Sequence, residues 1–145
     1  MIGLLQRVTH ANVAVNNEIV GEIDHGILVL IGIEREDDEI KAKRLIDRLL
    51  SYRVFADENN KMNLSLSTTA GGLLLVPQFT LAVDTKNGSR PGFSGGAPPE
   101  VAKKLFLYCV KYATSVHNIV ESGIFGADMK VSLTNDGPVT FTLNT

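Results

Sequence analysis

The chain has 145 residues, 44% of them apolar, with a formal net charge of −2 and a single cysteine. That is enough chain for one domain with a real core, residues 1–145, and too close to neutral for broad wrapping of nucleic acid, so no DNA partner is expected; docking of one nucleic-acid end on a local patch stays open. A lone Cys109 rules out an intrachain disulfide or a cysteine zinc cluster, and no apolar run approaches the roughly 20 residues that span a bilayer.

In chain order, Met1 to Arg7 lacks a basic region followed by a long apolar segment, so no signal peptide and a cytoplasmic protein are expected. Ile2 to Val8 reads as a first strand. Asn12 to Val15 and Glu18 to Ile23 follow, and Asn16-Asn17 between them suits a hairpin because Asn tolerates positive φ. Gly26 to Ile33 is wholly apolar and reads as a central strand. Glu34 to Asp38 supplies helix N-cap candidates and acids that suit the helix dipole. Ala42, Leu45, Ile46, Leu49 and Leu50 then recur at helical spacing and predict one buried face. Lys41, Lys43, Arg44 and Arg48 lie mostly off that stripe and read as a solvated face.

Arg53 to Ala56 is a short strand, Asp57 to Asn60 a turn, and Lys61 to Leu66 continues from it. Ser67 to Gly72 reads as a polar connector. Leu73 to Val76 begins as a buried strand. Beyond it, Gln78 and Thr80 would share one face if the strand stays regular. A buried polar group without a partner costs about 1–3 kcal/mol, so these two need an internal partner or a ligand. Pro77 cannot donate to a ladder and belongs at an edge or bulge. The stretch reads either as a strand opening into a site at Pro77 or as a hydrogen-bonded core pair beside a bulge.

Thr85 to Pro99 is too long for a simple connector, and such loops are often functional. Pro98 and Pro99 suit the first turn of a helix. Its predicted buried stripe is Val101, Leu105, Tyr108, Cys109, Tyr112, Ala113 and Val116, which makes Cys109 a core residue rather than a nucleophile. Met129, Val131 and Leu133 alternate with polar residues, as do Val139, Phe141 and Leu143 after Asn135-Asp136-Gly137, so the end reads as a hairpin. Strands near both ends with two helices between them predict an α/β domain with mixed or antiparallel sheets.

Standard catalytic constellations are absent: no G-x-S-x-G, HExxH, P-loop or CxxC. His10, His25 and His117 lack metal-ligand spacing, so no metal is expected. An enzyme built from these residues has to work through backbone donors, hydroxyls or the substrate's own groups. Gly137-Pro138 sits between two patterned strands. The trans preference before proline is only about 0.5–1 kcal/mol, so the bond can be cis, with both carbonyls turned to one side; the alternative is a plain turn.

Gln6-Arg7-Val8, Arg53-Val54-Phe55 with Asp57, Lys61-Met62-Asn63, Gln78-Phe79-Thr80-Leu81 and Gly88-Ser89-Arg90-Pro91-Gly92-Phe93 form an ordered set. Phe125-Gly126-Ala127-Asp128-Met129 and Asn135-Asp136-Gly137-Pro138-Val139-Thr140 complete it. On these motifs the chain resembles the D-aminoacyl-tRNA deacylases over essentially its whole length. The resemblance implies helices packed on one side of the sheets, a cytosolic homodimer, no cofactor, and hydrolysis of the ester between a D-amino acid and the terminal adenosine of tRNA. It implies a main-chain chirality gate at Gly137 and Pro138, cis and reaching into the partner subunit's site, with Gln78, Phe79 and Thr80 on the facing catalytic wall. Phe125 and Met129 are implied to hold the aminoacyl-adenosine end. Lys61, Lys86 and Arg90 are candidate phosphate contacts. Glycyl-tRNA is implied as a side substrate.

Pro77 departs from the Ser that most members carry and is similar to a related branch in which the Gly-Pro bond is trans and selectivity differs. The alternatives are an editing hydrolase for an L-misacylated tRNA and a module that binds the aminoacyl-tRNA end without hydrolysis.

Overall fold

The computed structural model describes residues 1–84 and 88–145. Strand β1 (Ile2–Val15) organises a six-stranded sheet. Its first half pairs antiparallel with β3 (Gly26–Gly32) and its second half with β2 (Glu18–Ile23). The β1–β2 turn is made by Asn16 and Asn17 at φ 51° and 66°. Helix α1 (Glu39–Ser51), hairpin β4 (Arg53–Ala56) and β5 (Met62–Ser65), and a one-turn helix α2 (Leu66–Thr69) lead to β6 (Gly72–Pro77), parallel to β3. Helix α3 (Pro99–Val116), β7 (Val120–Ser122) beside β6, and β8 (Lys130–Asn144) follow.

Side chains of β6 alternate between two cores. Leu73 and Leu75 pack with Leu45, Ile46 and Leu49 of α1 and Leu105, Phe106 and Cys109 of α3. Leu74 and Val76 pack the other way, with Val8, Ala11 and Val13 of β1 and Ile23 of β2. A strand buried on both faces reads as a continuous apolar run, which is why Leu73 to Val76 has no polar alternation. The second core closes because β2 approaches β7: a Cβ on Gly21 would lie 2.9 Å from the Ser122 carbonyl oxygen.

The α1 stripe is buried as its spacing predicts, and Asp38 caps the helix by accepting from the Lys41 N–H at 2.8 Å. Tyr112 donates to Asp47 at 2.7 Å and Lys43 pairs with Asp47 at 2.6 Å, which fastens α1 to α3. The Asp47 carboxyl is held below its usual range chiefly by that Lys43 hydrogen bond, and the Lys43 ammonium is raised in return by Asp47. Cys109 is a core residue, its thiol pushed up to about 12 by burial.

Several expectations are corrected. Ile2 to Val8 and Asn12 to Val15 belong to one strand. The predicted C-terminal hairpin is one strand, β8, because both of its halves pair with β1: Ile2↔Asn144 through Gln6↔Thr140, then Val8↔Asn135 through Ala14↔Lys130. The connector after Leu66 holds α2. On α3, Val101 and Val116 are exposed, and Ala102 and Phe106 take the buried positions. Strand β6 ends at Pro77: the Gln78 N–H makes the last ladder bond, to the Ile31 carbonyl at 2.8 Å, and Phe79–Ala82 then winds into a 3-10 turn. Among the described residues no helix is long and apolar enough to cross a membrane.

Candidate active site

A cavity of about 600 Å³ opens where β6 ends. It is lined by Val76, Pro77, Gln78 and Phe79 at the strand end, by Phe125 to Met129, and by Phe93 and Ala97. Phe125 is held from behind by Phe106 of α3, ring centroids 6.3 Å apart. Met129 packs on the second core. Asp128 is the only ionisable side chain among the described lining residues; it is exposed and pairs with Lys130 at 3.0 Å. The cavity is therefore apolar, with one half-buried amide, Gln78, at its edge.

The 3-10 turn alters the expected relation of Gln78 and Thr80. They do not lie on a strand face. The Gln78 amide donates to the Thr80 hydroxyl oxygen, so each is the other's partner. Thr80 is exposed and does not line the cavity. The first N–H groups of a helical turn have no acceptor within it, and among the described residues no hydrogen bond takes up the N–H of Phe79 or Thr80. Two main-chain donors thus stand beside an apolar cavity.

Gly137 and Pro138 lie elsewhere. Between the Gln6↔Thr140 and Val8↔Asn135 pairs, the single residue Arg7 faces Asp136 to Val139, which bulge out of β8. The bulge is tied at both ends: Val139 N–H donates to Asn135 Oδ1 at 2.7 Å, and Asn135 Nδ2 donates to Thr140 Oγ1 at 2.8 Å. The Gly137-Pro138 bond is cis, and Gly137 has φ 136°. Neither residue lines the cavity of its own chain.

Arg7 anchors this turn. Its Nε donates to the Asp136 carbonyl at 3.0 Å and lies 3.2 Å from the Asp136 carboxylate, and its Nη1 donates to the Val54 carbonyl at 2.7 Å. The sequence alone assigns Arg7 no role; the available signal is that it is the one lysine or arginine in the first strand. Phe93 likewise has no role legible beyond its place in the family motif, since a phenylalanine in a Gly- and Pro-rich loop carries no periodicity. Lys61 lies in the β4–β5 turn and Arg90 precedes Phe93; both are exposed and neither lines the cavity. Lys86 lies outside the described residues.

Residues 4–144 match the family described as D-Tyr-tRNA(Tyr) deacylase. The chain is 57% identical to a D-aminoacyl-tRNA deacylase of Pseudoalteromonas atlantica, covering 99% of each chain. It is 58% identical to the protein of that name from Photorhabdus laumondii, again over 99% of each. A solved structure titled c-Myc DNA Unwinding Element Binding Protein superposes with a TM-score of 0.95 at 34% identity, covering 100% of this chain and 99% of the other.

Proposed function

Because the chain belongs to the D-Tyr-tRNA(Tyr) deacylase family, we propose that it clears D-amino acids from tRNA by a main-chain site shared between two copies. The protein is a hydrolase, a D-aminoacyl-tRNA deacylase. The finer reading assigns the aminoacyl-adenosine end to the cavity between Gln78-Phe79 and Phe125 to Met129. The observation that carries it is the pairing of this apolar, nearly charge-free cavity with the unengaged N–H groups of Phe79 and Thr80. Such donors suit an oxyanion that develops at an ester carbonyl.

A covalent nucleophile needs an adjacent base. The Thr80 hydroxyl oxygen instead accepts from the Gln78 amide, which supports a water attack helped by the vicinal ribose 2′-hydroxyl over attack by Thr80. Selection is assigned to the Gly137 and Pro138 carbonyls of a second copy, which accept from the substrate α-amino group. An L side chain would point into these carbonyls and a D side chain away from them, so discrimination is by exclusion. Glycine has no side chain to exclude, and glycyl-tRNA is assigned as a side substrate. Support for a second copy is that neither gate residue lines the cavity of its own chain. Lys61, Lys86 and Arg90 are assigned to tRNA phosphates.

Deacylation of D-Tyr-, L-Tyr- and Gly-tRNA tests this reading. Turnover of the D and glycyl substrates with L-Tyr-tRNA untouched is expected. Equal turnover of the L substrate would overturn the gate, and binding without release of amino acid would overturn hydrolysis. A D-Tyr-tRNA ending in 2′-deoxyadenosine should resist; rapid turnover would overturn the 2′-hydroxyl role.

A further inference from the structure

Phe79 is 64% exposed and Phe93 56% exposed, yet their rings sit together, centroids 5.7 Å apart and tilted by 34°. Single exposed apolar side chains are ordinary. A pair of phenyl rings held in contact at a cavity mouth is not, because it leaves a continuous aromatic surface outside the core of this chain. Main-chain bonds hold the two segments in place. The Gln78 N–H is tied to Ile31, Asp84 and Gly92 exchange two hydrogen bonds of 2.8 and 2.9 Å, Arg35 N–H donates to Gly95 at 3.1 Å, and Ala97 N–H donates to Ile33 at 3.0 Å. The 3-10 turns that start at Phe79 and Phe93 are therefore fixed side by side.

Both rings line the cavity as well as facing solvent, so the platform continues its wall outward. The cavity volume suits one small ligand. If it takes the aminoacyl-adenosine, the next nucleotide has to lie outside, at the mouth. Arg90 precedes Phe93 in the loop and Arg35 is pinned by its N–H beside Gly95; both side chains are exposed and, among the described residues, neither has an ion-pair partner. Aromatic faces with exposed cations on the neighbouring segments suit a nucleobase and its phosphate.

We propose that the Phe79–Phe93 pair is a stacking platform for the base that precedes the terminal adenosine, a recognition element that rests on the deacylase reading above. Stacking on an aromatic side chain contributes on the order of tenfold per base, and it tolerates any base because each has a π face. The platform thus lets the enzyme grip the end of any tRNA while leaving the amino acid to the cavity.

The test compares two D-tyrosyl esters: cytidylyl-adenosine, and the same dinucleotide with the cytosine replaced by an abasic ribose. Wild-type protein should favour the base-bearing ester by about tenfold in kcat/KM. Phe93→Ala should erase that ratio, Phe93→Trp should keep it, and Phe93→Leu, apolar but without a π face, should lose it. A wild-type ratio near one, a ratio retained by Phe93→Ala, or a ratio retained by Phe93→Leu would each overturn the platform. Retained preference together with a weakened dimer in sedimentation would make the pair a subunit contact instead. If neither ester is hydrolysed by wild-type protein, the deacylase reading fails and the platform with it; if both are hydrolysed without preference, the platform alone fails.

Discussion

Gly137 holds a backbone conformation that L side chains rarely adopt. At φ 136°, an added Cβ would sit 2.6 Å from Val139 Cγ2 and 3.1 Å from Arg7 Nη2. A side chain there strains the backbone by about 1–3 kcal/mol and also presses on the guanidinium that anchors the turn. Gly137→Ala is therefore expected to fold with a lower Tm and to lose about tenfold or more of kcat/KM for D-Tyr-tRNA, since a displacement of a few tenths of an ångström matters at a positioned group. Full activity with unchanged selectivity would remove Gly137 from the substrate's path. Arg7→Met should act on the same turn by removing the donors to Asp136 and Val54. It should impair D-Tyr-tRNA turnover without changing the secondary structure seen by circular dichroism, and undiminished turnover would show that the turn holds its place unaided. Thr80→Ala should retain activity within about tenfold, whereas a loss beyond about a thousandfold, roughly 4 kcal/mol of barrier, would restore the hydroxyl as nucleophile.

At the scale of elements, the β4–β5 turn is ordered by one carboxylate. Asp57 accepts from the N–H of Lys61 at 3.0 Å, the Asn63 amide at 2.7 Å and the N–H of Asn59 at 2.8 Å. These bonds, the one from Lys61 foremost, hold its carboxyl below the ordinary value of 3.8. A carboxyl depressed in the folded state stabilises above its unfolded pKa, and that contribution is lost as pH falls through the folded pKa. The turn should therefore be intact at neutral pH and loosen below about pH 4. Amide exchange at Asn59 and Lys61 should accelerate relative to the core in that window, and already at neutral pH in Asp57→Ala. Relative protection that is flat with pH and indifferent to the substitution would show that the hairpin strands alone order the turn.

For the whole molecule, the decisive fact is separation: the cavity lies at the end of β6, and the Gly137-Pro138 turn lies on β8 against Arg7, lining no part of it. A dimer that exchanges these parts has a specific signature. On the proposed reading, Gln78→Ala should impair the cavity and Gly137→Ala the gate. Mixed after dissociation and reassociation, the two variants should recover activity to about a quarter of wild type, because half of the random dimers hold one intact composite site out of two. No recovery on mixing, or an active monomer in sedimentation, would place the whole site within one chain.

What the amino-acid order determined was local. The α1 stripe from Ala42 to Leu50, the Asn16-Asn17 turn and the doubly buried run from Leu73 to Val76 were legible because each is set by periodicity or by φ preference within a few residues. The ordered motifs also carried the family, since each spans only neighbouring positions. Tertiary structure decided the rest. An alternating pattern broken by a turn is the same string whether the chain reverses or continues with a bulge; only the shared partner β1 makes β8 one strand. The last ladder bond of β6 runs from the Gln78 N–H to Ile31, a residue 47 positions earlier in the chain, and only beyond it does the 3-10 turn begin. The anchoring of the turn by Arg7 and the meeting of Phe79 with Phe93 likewise join residues far apart in sequence, and no pattern read along one dimension encodes which distant groups will touch.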